Sequence, residues 1–157
     1  MHNIISPKLA TIVCCVFVIV CPASSAADEQ LNNQLVTAAV NGQLGQIQWL
    51  LERGADINSS GPSIGNTPAG VTALSYAAAE NHLKVVEYLI LHGAEVNQAD
   101  AGGGSPLIYA AWRGHTSVVK LLLKHGADTN ASVNGRSALS MARDNGHTET
   151  VRVLQAR

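Results

Sequence analysis

Aromatic side chains are scarce, at 4% of 157 residues with a single Phe, so the interior has to be built from Ala, Val, Leu and Ile. Small aliphatic side chains of this kind suit helices packed at close range. Charge is scarce as well. Only 13% of residues are Asp, Glu, Lys or Arg, and 10 cations against 11 anions leave a formal net charge of -1. With no basic surplus to displace counterions from a phosphate backbone, electrostatic nucleic-acid binding is excluded as a function class. Cysteine is confined to Cys14, Cys15 and Cys21. Beyond that point disulfides, zinc-thiolate sites and a cysteine nucleophile are excluded together. Catalytic motifs are lacking too: there is no G-x-S-x-G elbow, no H-E-x-x-H and no phosphate loop, and Gly102-Gly103-Gly104 has no following Lys. The length fits one folded unit rather than two large domains.

What is present begins with a short apolar run. Leu9 to Cys21 is thirteen residues without charge, preceded by Lys8 and followed by Pro22 and the small residues Ala23 to Ala27. This is the layout of a secretory signal peptide, here residues 1–27, with a folded domain over 28–157. The mature chain is expected to begin at Ala27 or Asp28, in the periplasm or secreted, with no membrane association after cleavage. Two readings compete. An uncleaved anchor would want about 20 apolar residues, and the run is shorter. Lipid attachment at Cys21 normally wants a small residue just before the cysteine, and Val20 departs from that. An exported domain without disulfides has to draw its stability from continuous burial.

The rest of the sequence repeats itself. Leu74, Leu107 and Leu139 are spaced by 33 and 32 residues, and the same offsets carry Ala77 to Ala110 to Ala142 and His82 to His115 to His147. Gly93-Ala94 recurs as Gly126-Ala127, and an earlier copy, Gly54-Ala55, sits 39 residues upstream because an insertion intervenes. A period near 33 residues means a stacked array, in which no single unit hides its apolar side alone. In one unit Ser105 stands as an N-cap, Pro106 takes the first helical position and Gly114 ends the helix. A second helix is expected from about Thr116 to Lys124, burying Val118, Val119, Leu121 and Leu122 until Gly126 stops it.

The run Ser105-Pro106-Leu107-Ile108-Tyr109-Ala110-Ala111, with Gly114-His115, Val118-Val119, Leu121-Leu122 and Gly126-Ala127-Asp128, resembles an ankyrin repeat. The resemblance covers nearly all of the mature chain. It implies an all-α ankyrin-repeat solenoid of about four helix-turn-helix units with short β-turn fingers, at residues 34–58, 71–97, 104–130 and 135–157. Asp28 to Gln34 is expected to form a polar cap at the amino end, and Arg143, Asp144, Arg152 and Arg157 a polar cap at the other. Where the family pattern has His after Thr-Pro-Leu, this protein has Ser75, Ile108 and Ser140. That departure predicts loss of the usual turn-bracing hydrogen bonds and an array less stable than an idealised one.

Histidine is the residue type that most invites a chemical reading, and spacing argues against it. Equivalent positions in a stacked array lie roughly 8 to 10 Å apart, whereas metal ligands must each approach within about 2.1 Å of one ion. His82 and His92 stand at opposite ends of one helix, about 15 Å apart at roughly 1.5 Å per residue. His82, His115 and His147 are expected to brace inter-helix turns, and His92 and His125 to sit near helix C-termini. Asp56 and Asp128 follow Gly-Ala and read as turn residues. Neither a cofactor nor a metal is expected, and no enzymatic activity.

What remains is surface. The resemblance implies a concave partner-binding face, which places Val40, Asn41, Ala79, Glu80, Trp112, Arg113, Asp144 and Asn145 on that side, with the finger residues Pro68, Ala101, Gly102 and Asn134 along its edge. Trp112 beside Arg113 is the expected centre, since Trp and Arg are the commonest interface hot spots. The competing reading has Trp112 folded over a neighbouring finger. Trp49 is expected in the core, equivalent to Tyr88, Leu121 and Val153. The insertion 59–70, with a lone Ile64, lengthens one finger. The expected function is a monomeric, non-enzymatic protein-binding module acting in the periplasm or outside the cell. The alternative is an immunity or inhibitor protein that occludes a toxin or an enzyme active site.

Overall fold

The computed structural model describes residues 22–61 and 68–156. Helices α1 (Pro22–Val40) and α2 (Leu44–Glu52) form the first pair, α3 (Ala73–Ala79) and α4 (Leu83–Leu91) the second, and α5 (Pro106–Arg113) and α6 (Thr116–Lys124) the third. A short hairpin, β1 (Ser132–Val133) and β2 (Arg136–Ser137), leads into the last pair, α7 (Ala138–Asp144) and α8 (Thr148–Gln155). The expected all-α solenoid is what the protein forms, with four helix pairs among the described residues. Helices α1, α3, α5 and α7 stack in one row, with α4, α6 and α8 behind them in a second.

The inner row packs closely because its contact positions are small: Ala77, Ala78, Ala110, Ala111 and Ala142 are fully buried. Leu50, Leu89 and Leu122 of the outer helices fill the space between the rows and are likewise fully buried. Side chains set the helix starts. Thr72, Ser105 and Ser137 accept hydrogen bonds from the N–H groups of Ser75, Ile108 and Ser140, and Pro106 sits in the first turn of α5. Gly114 ends α5 in the left-handed region at φ 76°.

Two repeated bonds join the units. His82, His115 and His147 place Nε2 2.9, 2.9 and 3.0 Å from the carbonyl oxygens of Val40, Ala79 and Trp112, each at the end of the preceding unit's inner helix. Nε2–H donates to an orphan carbonyl of the kind every helix end leaves. Gln43 occupies the corresponding place before α2. On the finger side, the backbone N–H groups of Glu95 and Asp128 donate to Oδ1 of Asn58 and Asn97 in the preceding unit, and that of Asp56 makes the same bond to Asn32 within the first pair, at 2.8 Å every time.

Several expectations need correction. The inner helix of the first unit is longer than the unit expected at 34–58: α1 runs uninterrupted from Pro22 to Val40 and takes in the segment read as a polar cap. Asp28, Glu29 and Gln30 are exposed on it. The expected cleavage positions after Ala26 and Ala27 fall inside this helix, whereas residues 1–21, Ile64 and Arg157 lie outside the described residues. Trp49 is not core. It is 46% exposed, because α2 packs only marginally on α4, and the Arg53 guanidinium lies 4.0 Å from its ring centre. The turn bracing attributed to the family's His is partly replaced: Thr72 Oγ1 lies 3.2 Å from Ser75 Oγ, and Ser140 Oγ donates to Ser137 O at 2.9 Å, while Ile108 is simply buried.

Gly114→Ala should lower stability to urea unfolding by about 1–2 kcal/mol, the cost of a left-handed non-glycine residue. Gly114→Asn should cost less, since Asn81 holds the equivalent position at φ 61°. Equal losses in the two variants would show that contact with the His147 ring, and not backbone strain, governs the site.

Candidate functional site

A concave groove of about 390 Å³ opens between the finger at 100–104 and the β1–β2 hairpin, above α5 and α7. Its floor is Ile108, Tyr109, Trp112 and Met141, and Val133 and Pro68 extend the apolar wall. The polar groups at its margin are few, chiefly Asn134 and Arg136. Largely apolar concavities with a few placed polar groups are the usual form of a binding site.

The finger wall is built by Asp100. Its Oδ1 accepts the N–H groups of Gly102 at 2.7 Å and Gly104 at 3.0 Å, and its Oδ2 accepts the hydroxyl of Tyr109. The carboxylate is therefore saturated by the loop it shapes, although the residue is buried. A Cβ at Gly104 would collide with this carboxylate and the Tyr109 ring, so only glycine lets the loop close. Burial, reinforced by the bond to Asp100, pushes the Tyr109 phenol well above its ordinary range.

Trp112 is 45% exposed, with one face toward the groove and the Arg113 guanidinium 5.2 Å from its ring centre. Arg113 in turn pairs with Glu80 at 3.5 Å across α3 and α5. Arg136 pairs with Asp144, reaching from the hairpin to the end of α7. Both pairs are exposed, so each is worth about 0–1 kcal/mol and yields easily to a partner.

Of the residues expected at the site, Trp112, Pro68, Gly102 and Asn134 converge on this groove. Arg113, Glu80 and Ala79 border a small adjoining cleft shared with Trp112. Ala79 is 8% exposed, and its methyl group offers little surface; its carbonyl is the one that His115 holds. Ala101 is exposed but stands off the groove, where its N–H donates to Ala69 O and joins one finger to the next. Asp144 serves Arg136, and Asn145 turns back to donate to Met141 O at 2.8 Å, so it closes its own helix. Val40 contributes its carbonyl to His82, and Asn41 is exposed outside the groove. The long finger contributes Pro68 alone to the groove among the described residues.

Sequence reasoning missed Asp100, Tyr109, Val133, Arg136 and Met141. A signal existed for two of them. An Asp two residues before a glycine is the mark of a side chain that closes its own turn, and Tyr109 stands three residues before Trp112, on the same helix face. Nothing local marks Arg136 or Met141, which reach the groove only because two units stack.

Comparison with known proteins agrees with this architecture. The family model described as ankyrin repeats, three copies, matches residues 12–100, 35–133 and 74–157. The human cyclin-dependent kinase inhibitor 2A is 38% identical over 79 residues, which cover 50% of this chain and 46% of that protein. The mouse cyclin-dependent kinase 4 inhibitor B is 42% identical over 66 residues, 42% of this chain and 45% of that protein. An ankyrin repeat and KH domain-containing protein of Caenorhabditis briggsae is 34% identical over 94 residues, 60% of this chain but 3% of its own length. The match thus spans less than half the length of each of these relatives.

The raised phenol affinity for its proton makes a signed prediction. Tyr109 is neutral when folded, so its contribution is complete below the ordinary phenol pKa of about 10 and is lost as pH rises above it. Wild-type stability should therefore fall more steeply above that pH than the stability of Tyr109→Phe, as read by urea midpoints at a series of pH values. Parallel curves for the two proteins would refute the assignment.

Proposed function

The chain belongs to the ankyrin repeat family, and from that premise we propose that it is a non-enzymatic, monomeric protein-binding module acting in the periplasm or outside the cell through its concave groove. Ankyrin arrays bind proteins. The observation that carries the assignment to this face is Trp112, a half-exposed indole over an apolar groove, flanked by Arg113 and Arg136. Hot spots concentrate in such places, where a large aromatic ring loses water on contact and neighbouring groups exclude solvent. Pro68, Gly102 and Asn134 complete the contact, with Glu80 and Asp144 at its edge.

Export is supported by the uncharged run from Leu9 to Cys21 between Lys8 and Pro22, and by the confinement of all three cysteines to the sequence up to residue 21. Among the described residues no helix is long and apolar enough to cross a membrane.

A second reading, that the protein inhibits an enzyme by covering its active site, is favoured by relatives whose names describe them as kinase inhibitors and whose matched spans are nearly half their length. The two readings part on one measurement: a captured partner that loses its activity in proportion to added protein is an inhibited enzyme, and one that keeps it is not.

The double variant Trp112→Ala, Arg113→Ala should reduce capture of partners from the exported fraction by at least about tenfold, a hot-spot loss. Trp49→Ala, on the opposite face, should leave capture unchanged. Undiminished capture by the double variant, with its circular dichroism intact, would sink the groove assignment. The protein recovered from that fraction should begin at Ala27 or Asp28; an intact amino terminus on a cytosolic protein would overturn export.

A further inference from the structure

Three Asn-Gly pairs occur in the sequence, Asn41-Gly42, Asn134-Gly135 and Asn145-Gly146, and each glycine adopts positive φ. They are chemically identical dipeptides in different surroundings. Asn-Gly is the sequence at which a backbone nitrogen most readily reaches the preceding side-chain amide, because glycine has no Cβ in the way. Asparagine is counted among the thermally labile residues for this kind of reason. The reaction needs the glycine N–H free and the turn able to move.

Two of the pairs are held. Gly42 N–H donates to Ala39 O at 3.3 Å, and a Cβ at Gly42 would strike the His82 ring, so that turn is packed from one side. Gly146 N–H donates to Arg143 O at 3.0 Å, and the Asn145 amide is itself engaged with Met141 O. Both turns end a helix and are part of its hydrogen-bonding.

The third pair is not held. Asn134 and Gly135 form the tip of the β1–β2 hairpin, with φ of 50° and 74° as a tight two-residue turn requires. Among the described residues Gly135 N–H has no hydrogen-bond partner, and a Cβ built at Gly135 meets no atom within 4 Å. Both residues are exposed. Among the described residues the hairpin is closed by two residue pairs, Ser132 with Ser137 and Val133 with Arg136, and neither pair includes the tip residues Asn134 and Gly135.

We propose that Asn134 is a site of spontaneous, water-consuming modification, which converts it to aspartyl and isoaspartyl forms. The Gly135 nitrogen loses its proton to solvent base and bonds to Asn134 Cγ, and the Cγ–Nδ2 bond breaks to release ammonia. Water then adds to one of the two carbonyls of the resulting cyclic imide. Breaking the new nitrogen–Cγ bond gives Asp; breaking the original peptide bond between Asn134 and Gly135 gives the isoaspartyl linkage. One water is consumed and one ammonia leaves. No enzyme and no redox partner takes part.

The product alters the groove margin. A carboxylate at position 134 competes with Asp144 for the Arg136 guanidinium, and the isoaspartyl form adds a backbone atom to the turn. This consequence rests on the groove being the binding face; the reaction itself does not.

The test uses the other two pairs as internal standards. The purified protein is held at mildly alkaline pH, once native and once in urea, and conversion at each Asn-Gly is followed by peptide mapping and mass spectrometry. In urea the three sites should react at similar rates. In the native protein Asn41 and Asn145 should slow by at least about tenfold, the protection expected of hydrogen-bonded turns, while Asn134 stays within about threefold of its unfolded rate. Protection of Asn134 equal to that of Asn41 and Asn145 would overturn the proposal whatever the groove binds. Fast conversion with unaltered partner capture by Asn134→Asp would leave the reaction standing and count against the groove reading.

Discussion

Inner helices α1, α3 and α5 each end with carbonyls that their own unit does not satisfy, and the imidazole of the next unit satisfies one of them. His82 on Val40, His115 on Ala79 and His147 on Trp112 repeat that bond with nearly one geometry. The asparagine bonds to Glu95 and Asp128 join neighbouring units on the finger side. A neutral hydrogen bond is worth about 0.5–1.5 kcal/mol net, so no single one holds the array. Their importance is directional. Apolar burial between Ala and Leu surfaces tolerates sliding and rotation, whereas two bonds at separate edges of one interface, His82 on Val40 with Asn58 on Glu95 and then His115 on Ala79 with Asn97 on Asp128, admit one orientation. Stacking orientation in turn decides where the fingers stand, and the groove is a space between fingers.

The carbonyl that His147 holds belongs to Trp112, the residue whose ring faces the groove. One residue is thus fixed at its backbone by the joint between units and left half-exposed at its indole. A large ring on a fixed backbone loses little conformational freedom when a partner covers it, and that is what makes an aromatic anchor effective. The exposed arginine pairs beside it work in the opposite way. They contribute little to the folded state and leave most guanidinium N–H donors available to a partner.

Much of this was legible in the sequence, for physical reasons. The 33-residue phase of Leu107, Ala110 and His115 against Leu74, Ala77 and His82 reports a repeated packing requirement, so the units, Ser105 and Pro106 at the start of α5 and the span of α6 followed from it. Trp49 did not. Its equivalence to Tyr88 and Leu121 is real, but burial at that position needs a neighbouring outer helix close by, and α2 stands apart from α4. The groove was half legible. Trp112 and Asn134 carry local marks, a large aromatic at a helix end and an Asn-Gly turn, while Arg136 and Met141 become site residues only through contact between units. Ala79 and Ala101 were placed by register alone, and register says which face a residue occupies, not whether its side chain or its backbone does the work there.

The two walls of the groove solve the same problem by different means, and the difference bears on recognition. The wall at 100–104 is closed from within by the Asp100 carboxylate, which ties two backbone N–H groups and the Tyr109 hydroxyl into one knot. The opposite wall is a hairpin held by two residue pairs and one exposed ion pair. A charge-assisted bond of the first kind is worth about 1.5–3 kcal/mol, against about 0–1 kcal/mol for an exposed pair. The first wall therefore keeps its shape on contact and sets which apolar group fits against Tyr109 and Trp112. The second is held less firmly, so Asn134 and Arg136 have more freedom to adjust. For the binding face proposed above, this asymmetry implies discrimination by shape toward the finger and accommodation toward the hairpin.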